Sequence, residues 1–262
     1  MPDVLTKTLW DGRRGLAGFA AGTALIGAIY AGFYPQVADG AMGQTAQGFS
    51  PALREALRMD DLTSAAGYLG SSVFGIIVPL VAVIFGIATG TRAIAGDEEA
   101  GYLDLLLAHP VSRTRLLLHR FAALTAGAAL IAGVVLLAML AVRPGARLDS
   151  ISVGQFTAQC LALALLIIVF GTIAITIGAA TGSRPAALAG TAGVAVLTYA
   201  AGTAATQLNA DALRYASPFH YYIGGEPLRN GFQWTDLGVL TAIVAVLLTF
   251  AVTTFNRRDL TS

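Results

Sequence analysis

Residues 156–181 read FTAQCLALALLIIVFGTIAITIGAAT, a run of 26 residues without one Asp, Glu, Lys, Arg or His. The hydrocarbon core of a bilayer is about 30 Å thick and a helix rises about 1.5 Å per residue, so about 20 apolar residues cross it. Inside lipid every backbone N–H and C=O must find its partner within the segment, which makes such a run a helix. Working outward, five more stretches have the same character: 16–34, 69–90, 121–142, 186–206 and 237–255. None of the 31 charged residues falls inside a stretch. The expected fold class is an all-α integral membrane protein with six transmembrane helices, a single transmembrane domain over residues 1–262.

Composition agrees. Hydrophobic residues make up 56% of the chain and charged residues 12%, against roughly 45–50% and 25% in soluble domains. A net charge of +1 argues against a nucleic-acid partner, which needs a basic face. Cys160 is the one cysteine, so an intramolecular disulfide and a multi-cysteine metal site are both excluded. No metal site is expected.

Six spans put both termini on one side. That side carries ten basic residues: Lys7, Arg13, Arg14, Arg92, Arg113, Arg115, Arg120, Arg184, Arg257 and Arg258. The other side carries six: Arg54, Arg58, Arg143, Arg147, Arg214 and Arg229. By the positive-inside rule both termini are expected in the cytoplasm. The first apolar run is of span length and is read as an uncleaved span, not a signal peptide.

Several local features carry expectations of their own. Residues 3–14 place Asp3, Lys7, Asp11 and Arg14 on one stripe and Leu5, Leu9 and Trp10 opposite, the pattern of an interfacial helix in the headgroup plane. Ser50-Pro51 begins an expected short amphipathic helix in the loop 35–68. Pro79, near the middle of the second span, removes a backbone hydrogen bond and predicts a kink. The fifth span is rich in Ala and Gly, including Gly190 and Gly193, which predicts close burial against other helices. Gly18/Gly22, Gly86/Gly90 and Gly178/Gly182 are G-x-x-x-G pairs. Gly18, Gly22, Pro79, Gly190 and Gly193 are the candidate packing, dimer or pathway positions. The aromatic loop 207–235 fits an interfacial belt, or a gate or re-entrant segment.

Absences narrow the function. There is no G-x-x-x-x-G-K-[ST], and Lys7 is the one lysine, so the chain has no P-loop to cradle ATP. His109, His119 and His220 all lie outside the spans, and no nucleophile motif surrounds Ser217 and His220. No catalytic residues are assigned. Ionisable groups within spans mark proton-coupled carriers; with none here, the energy for any movement is expected to come from a partner.

The most informative polar stretch is 91–121, TRAIAGDEEAGYLDLLLAHPVSRTRLLLHRF. On a helix from Asp97, the residues Asp97, Gly101, Asp104 and Ala108 share a polar, small stripe, while Leu103, Leu106 and Leu107 take another face. Pro110 turns the chain, and Ser112 can cap a second helix carrying Arg113, Arg115 and Arg120. Two readings fit: two short helices that offer a polar surface to a soluble partner, or an interfacial hairpin with none.

This stretch resembles the type-2 ABC-transporter permeases. The residues that carry the likeness are Glu99-Ala100-Gly101-Tyr102-Leu103, Leu106-Leu107, Pro110-Val111-Ser112-Arg113 and Leu116-Leu117-Leu118-His119-Arg120-Phe121. They are similar to that family's E-x-G-T-L-x-x-L-L-x-x-P-V-S-R followed by L-L-x-G-K-F. The ending Phe255-Asn256-Arg257-Arg258-Asp259-Leu260 is similar to its F-x-R-R-D-L tail. Arg13-Arg14-Gly15-Leu16 and Tyr34-Pro35 also fit. Tyr102, His119 and Arg120 depart from the usual threonine, glycine and lysine.

The resemblance implies the permease subunit of an ATP-driven exporter in the cell membrane, not itself an enzyme. Such a permease forms a homodimer and docks two copies of a cytoplasmic ATP-binding subunit. ATP and Mg would be bound by that subunit, and no cofactor by this chain. The segment after the second span would be the coupling helix. Its interface residues would be Asp97, Glu98, Glu99, Gly101, Tyr102, Asp104, His109, Pro110, Ser112, Arg113 and Arg115. Glu98, Glu99 and Asp104 would face basic groups of the ATPase, and Arg113 and Arg115 acidic groups or lipid headgroups. Uncharged spans suit a hydrophobic or amphiphilic small molecule as cargo. The alternative function is an ATPase-coupled component for cofactor maturation or mechanical transduction. A membrane enzyme is a third reading.

Overall fold

The computed structural model describes residues 4–40, 61–99, 112–207 and 214–258. Among these residues all regular structure is helical. Six helices are long and apolar enough to cross a membrane: Gly12–Ala38, Ala65–Gly96, Arg113–Val142, Val153–Thr181, Arg184–Gly202 and Trp234–Arg257. Several of them begin or end beyond the uncharged stretch in the sequence, because arginines such as Arg92, Arg113 and Arg184 sit within the terminal turns. An arginine can lie along a helix end with its stem on apolar surface and its head in a polar layer.

The expected separate helix at 3–14 is not a separate element. One helix runs from Val4 to Gly32, with no proline inside it to break it. Likewise Arg113, Arg115 and Arg120 do not form their own short helix but open the 30-residue helix Arg113–Val142. The short helix expected from Ser50-Pro51 lies outside the described residues.

The fourth span is the hub. It touches the second, third, fifth and sixth spans and the short helices Pro218–Ile223 and Pro227–Asn230. The fourth span is largely buried within the chain, whereas most of the fifth is not. Phe156, Leu163, Ile167, Phe170 and Ile175 on the fourth span are fully enclosed. Close approach to it is set by glycine. A Cβ on Gly86 would stand 2.6 Å from the Ile167 carbonyl oxygen, and one on Gly90 2.2 Å from that of Gly171. The second-span Gly86/Gly90 pair therefore brings two backbones into contact, the use small residues have in lipid.

Within the single chain the fifth span is covered on one side only. Ala187 and Thr191 are enclosed, but Leu188, Val196 and Leu197 are exposed. Small residues permit close packing without specifying which partner takes it, and within this chain the span offers only one face to the fourth. Gly190 lies against Ile177, with a Cβ 3.0 Å from its Cδ1, while Gly18, Gly22 and Gly193 have open space beside them.

Pro79 acts through hydrogen bonding. The second span is π-helical over Leu69–Ile77 and becomes α-helical at Val78–Thr91, with Pro79 in its first turn. Proline has no N–H to donate, and its ring crowds the preceding turn's carbonyl. The wider i→i+5 turn before it absorbs both effects. A second π-helical stretch, Arg92–Gly96, leads to the last turn of the element, Asp97–Glu99.

The aromatic residues of the loop before the sixth span divide. Tyr222 is buried, and the Phe219 ring packs 5.3 Å from Phe170 and edge-on 5.2 Å from Tyr199. Tyr215 and Trp234 remain exposed.

Candidate functional site

The ends of the second, fourth and sixth spans and the starts of the third and fifth meet at one end of the bundle. The sequence puts a capping serine there first. Ser112 is extended (φ −67°, ψ 146°) and its Oγ accepts from the Arg115 N–H at 3.3 Å. This sets the first turn of the third span so that Arg113 crosses to the end of the sixth. Its Nη1 donates to the carbonyl oxygens of Phe255 at 3.1 Å and Arg258 at 2.6 Å. Helix C-terminal carbonyls lack partners of their own and carry partial negative charge, so a guanidinium there is doubly favoured. Beside it, Asn256 Nδ2 donates to Thr114 Oγ1 at 3.0 Å.

The chain leaves the sixth helix in an extended conformation at Arg258, and that turn aims the side chain back under the fourth span. Arg258 Nη1 donates to the carbonyl oxygens of Gly178 at 3.3 Å and Ala179 at 3.1 Å. Its Nη2 donates to both carboxylate oxygens of Glu98. The two side chains are only 18% and 20% exposed, so this is a largely enclosed ion pair whose partners are further hydrogen-bonded. That is the circumstance in which such a pair holds geometry. Gly182 makes room for it. Its φ of +66° is the left-handed cap of the fourth helix, and a Cβ would stand 2.7 Å from Glu98 Oε1 and 2.8 Å from Arg258 Nη2. The next acid serves the fifth span: Glu99 Oε1 accepts from the Arg184 N–H at 2.9 Å, a carboxylate on the positive end of a helix.

Of the residues singled out in the sequence, Glu98, Glu99, Ser112 and Arg113 come together here. Glu98 and Glu99 are engaged by Arg258 and Arg184 of their own chain. Arg115 is exposed on the first turn of the third span. Asp97 belongs to the terminal turn Asp97–Glu99. Gly101, Tyr102, Asp104, His109 and Pro110 lie outside the described residues. Gly18, Gly22, Pro79, Gly190 and Gly193 sit within the spans, away from this cluster. Sequence reasoning did not assign Arg258, Gly182 or Arg184 to the site. The R-R of the tail was the available signal for Arg258, but nothing local named its partner.

The cluster is a clamp. It pairs cations with carboxylates and helix ends. Among the described residues no group of three or more His, Cys, Asp or Glu side chains is arranged to hold a metal ion. Segment 100–111 starts one residue after Glu99 and ends one residue before Ser112, so both of its roots are fixed in the clamp.

A family model described as ABC-2 family transporter protein matches residues 4–260. No curated protein matches the sequence significantly.

Proposed function

The chain belongs to the ABC-2 transporter family and is a membrane permease component of an ABC transporter, and we propose that the Glu98–Arg258 clamp is where the work of an ATP-binding subunit enters its helices. One observation carries this reading. Segment 100–111 is rooted at both ends in side chains that hold the ends of the second, fourth and sixth spans and the starts of the third and fifth. A push on that segment by a docked subunit would reach five helix ends through the polar contacts made at its two flanks.

The subunit would sit on the cytoplasmic side of the cell membrane, where the termini and ten of the basic residues lie. It would hold ATP and Mg, for which this chain has no P-loop. Two permease copies would meet through the uncovered faces of the first and fifth spans, where Gly18, Gly22 and Gly193 leave room for close backbone approach. The cargo class that suits uncharged spans is a hydrophobic or amphiphilic small molecule moving outward.

Affinity purification of the tagged chain from its native membrane tests the core of this. ATP hydrolysis should co-purify with the chain, while the chain stripped of partners should hydrolyse none. Hydrolysis by the stripped chain, or none in the native preparation, contradicts the reading.

A further inference from the structure

At the opposite end of the bundle, the second and fourth spans and the helices Pro218–Ile223 and Pro227–Asn230 enclose a pocket of about 350 Å³, within the size range of small-ligand sites. Gln159 of the fourth span lines it and is fully buried, and among the described residues neither Oε1 nor Nε2 of its amide has a hydrogen-bond partner. Burying an amide unpaired at membrane depth is costly, and such a group is retained for what it binds.

The pocket is built, not incidental. Ser152 and Gln155 form a reciprocal capping box at the start of the fourth span. Gln155 Nε2 also donates to the Arg229 carbonyl oxygen at 2.6 Å, holding helix Pro227–Asn230 over the span. Gln159 follows one turn deeper on the same helix face. At the rim, Arg229 pairs with Asp61, donates to Ser64 Oγ at 3.2 Å and lies 3.5 Å from Glu226. Asp61 is itself fixed by Ser64 Oγ at 2.5 Å and Thr63 Oγ1 at 3.1 Å. On the second-span side, Ser71 Oγ donates to the Tyr68 carbonyl at 3.1 Å, which leaves its oxygen free to accept. Gly70 adds bare backbone with open space where a side chain would stand.

These groups define what fits. Gln159 offers a donor and an acceptor side by side, so its partner must carry both. Among the described residues the rim holds two carboxylates against one guanidinium, a formal −1 that repels anions and favours a positive charge. We propose that this pocket binds a small hydroxylated amine, free in solution or as the headgroup of an amphiphile, with hydroxyls on Gln159 and Ser71 and the ammonium at the Asp61–Glu226 rim. The site is independent of the ATP-coupling reading, since binding is measured on the purified chain alone.

The test titrates the detergent-purified chain calorimetrically with glucosamine, glucose and glucuronate, which are close in size and differ in charge. Glucosamine should bind tightest, glucose more weakly and glucuronate least. Gln159→Leu should lower glucosamine affinity about tenfold or more. Should that variant not fold, Ser71→Ala should weaken binding in the same direction. Glu226→Gln should keep glucose binding and abolish the preference for glucosamine. In phosphatidylcholine nanodiscs, displacement of glucosamine by sphingosine assigns the site to a headgroup, and no displacement to a free solute. No binding of any of the three sugars, equal affinity for glucuronate and glucosamine, or unchanged affinity in folded variants overturns the proposal.

Discussion

Arg258 Nη2 donates to both carboxylate oxygens of Glu98, joining positions 160 residues apart in the chain. The same guanidinium caps the carbonyls of Gly178 and Ala179. The two partners are therefore unequal. Glu98 has Arg258 as its cation, whereas Arg258 also holds the end of a third helix. Glu98→Gln should cost about 1–2 kcal/mol and Arg258→Gln about 2–3, between the values for exposed and fully buried pairs. The double variant should be no less stable than Arg258→Gln alone, because the pair is already broken. Thermal unfolding in detergent, read as a double-mutant cycle, checks this. Additive losses would show that the two residues do not share an interaction.

Glycines on the same kind of helix should differ sharply. Gly90→Ala puts a Cβ against the Gly171 carbonyl oxygen, and backbone cannot yield as a side-chain end does, so about 1–3 kcal/mol or more should be lost. Gly22→Ala meets nothing within 4 Å among the described residues and should leave thermal stability of the single chain unchanged. Fluorescence-detected size exclusion after a heat step separates the two. A Gly22 variant as unstable as the Gly90 variant would contradict the packing described.

Dimer formation gives a third test. Gly193 also meets nothing within 4 Å among the described residues, so Gly193→Leu should fold normally. If the fifth spans of two copies meet, the same change should lower the dimer fraction several-fold by blocking close approach. Mass measurement in detergent reads this directly, and an unchanged dimer fraction would place the copy-to-copy contact elsewhere.

The opposite end carries a pH dependence. Hydrogen bonding from Ser64 first, then Thr63 and the Ser64 N–H, with the Arg229 charge behind them, lowers the Asp61 carboxyl below its ordinary value despite partial desolvation. A carboxyl lowered on folding contributes stability that is fully present above its unfolded pKa and is lost as pH falls through the folded one. Wild-type thermal stability should therefore fall as pH drops below the usual carboxylate range, and Asp61→Asn should flatten that part of the curve. Identical acid profiles for the two proteins would show that Asp61 contributes nothing to it.

The spans were legible in the sequence because hydrophobic length is a local property, as residues 156–181 show. Their ends were not, because Arg113 read as part of a separate short helix and Arg184 as a loop residue, although each lies in the first turn of a span. The partner of the fifth span was not legible, because alanine and glycine allow packing without naming what packs. The clamp was half legible: its roots, Glu98, Glu99 and Arg113, stood out as polar residues between apolar spans. Their partners lie 85 to 160 residues away, beyond any local pattern. Gln159 escaped notice because a search of spans for charge passes over a neutral amide.

The clamp's role in transmission can be measured without knowing the cargo. Spin labels at the exposed positions Leu137 and Val196, in a Cys160→Ala background, report helix separation when ATP is added to the complex with its ATP-binding subunit. The account predicts an ATP-dependent change in that distance for the otherwise unaltered chain, and its loss in Arg258→Gln while the subunit stays bound. The same ATP-dependent change in Arg258→Gln would contradict it.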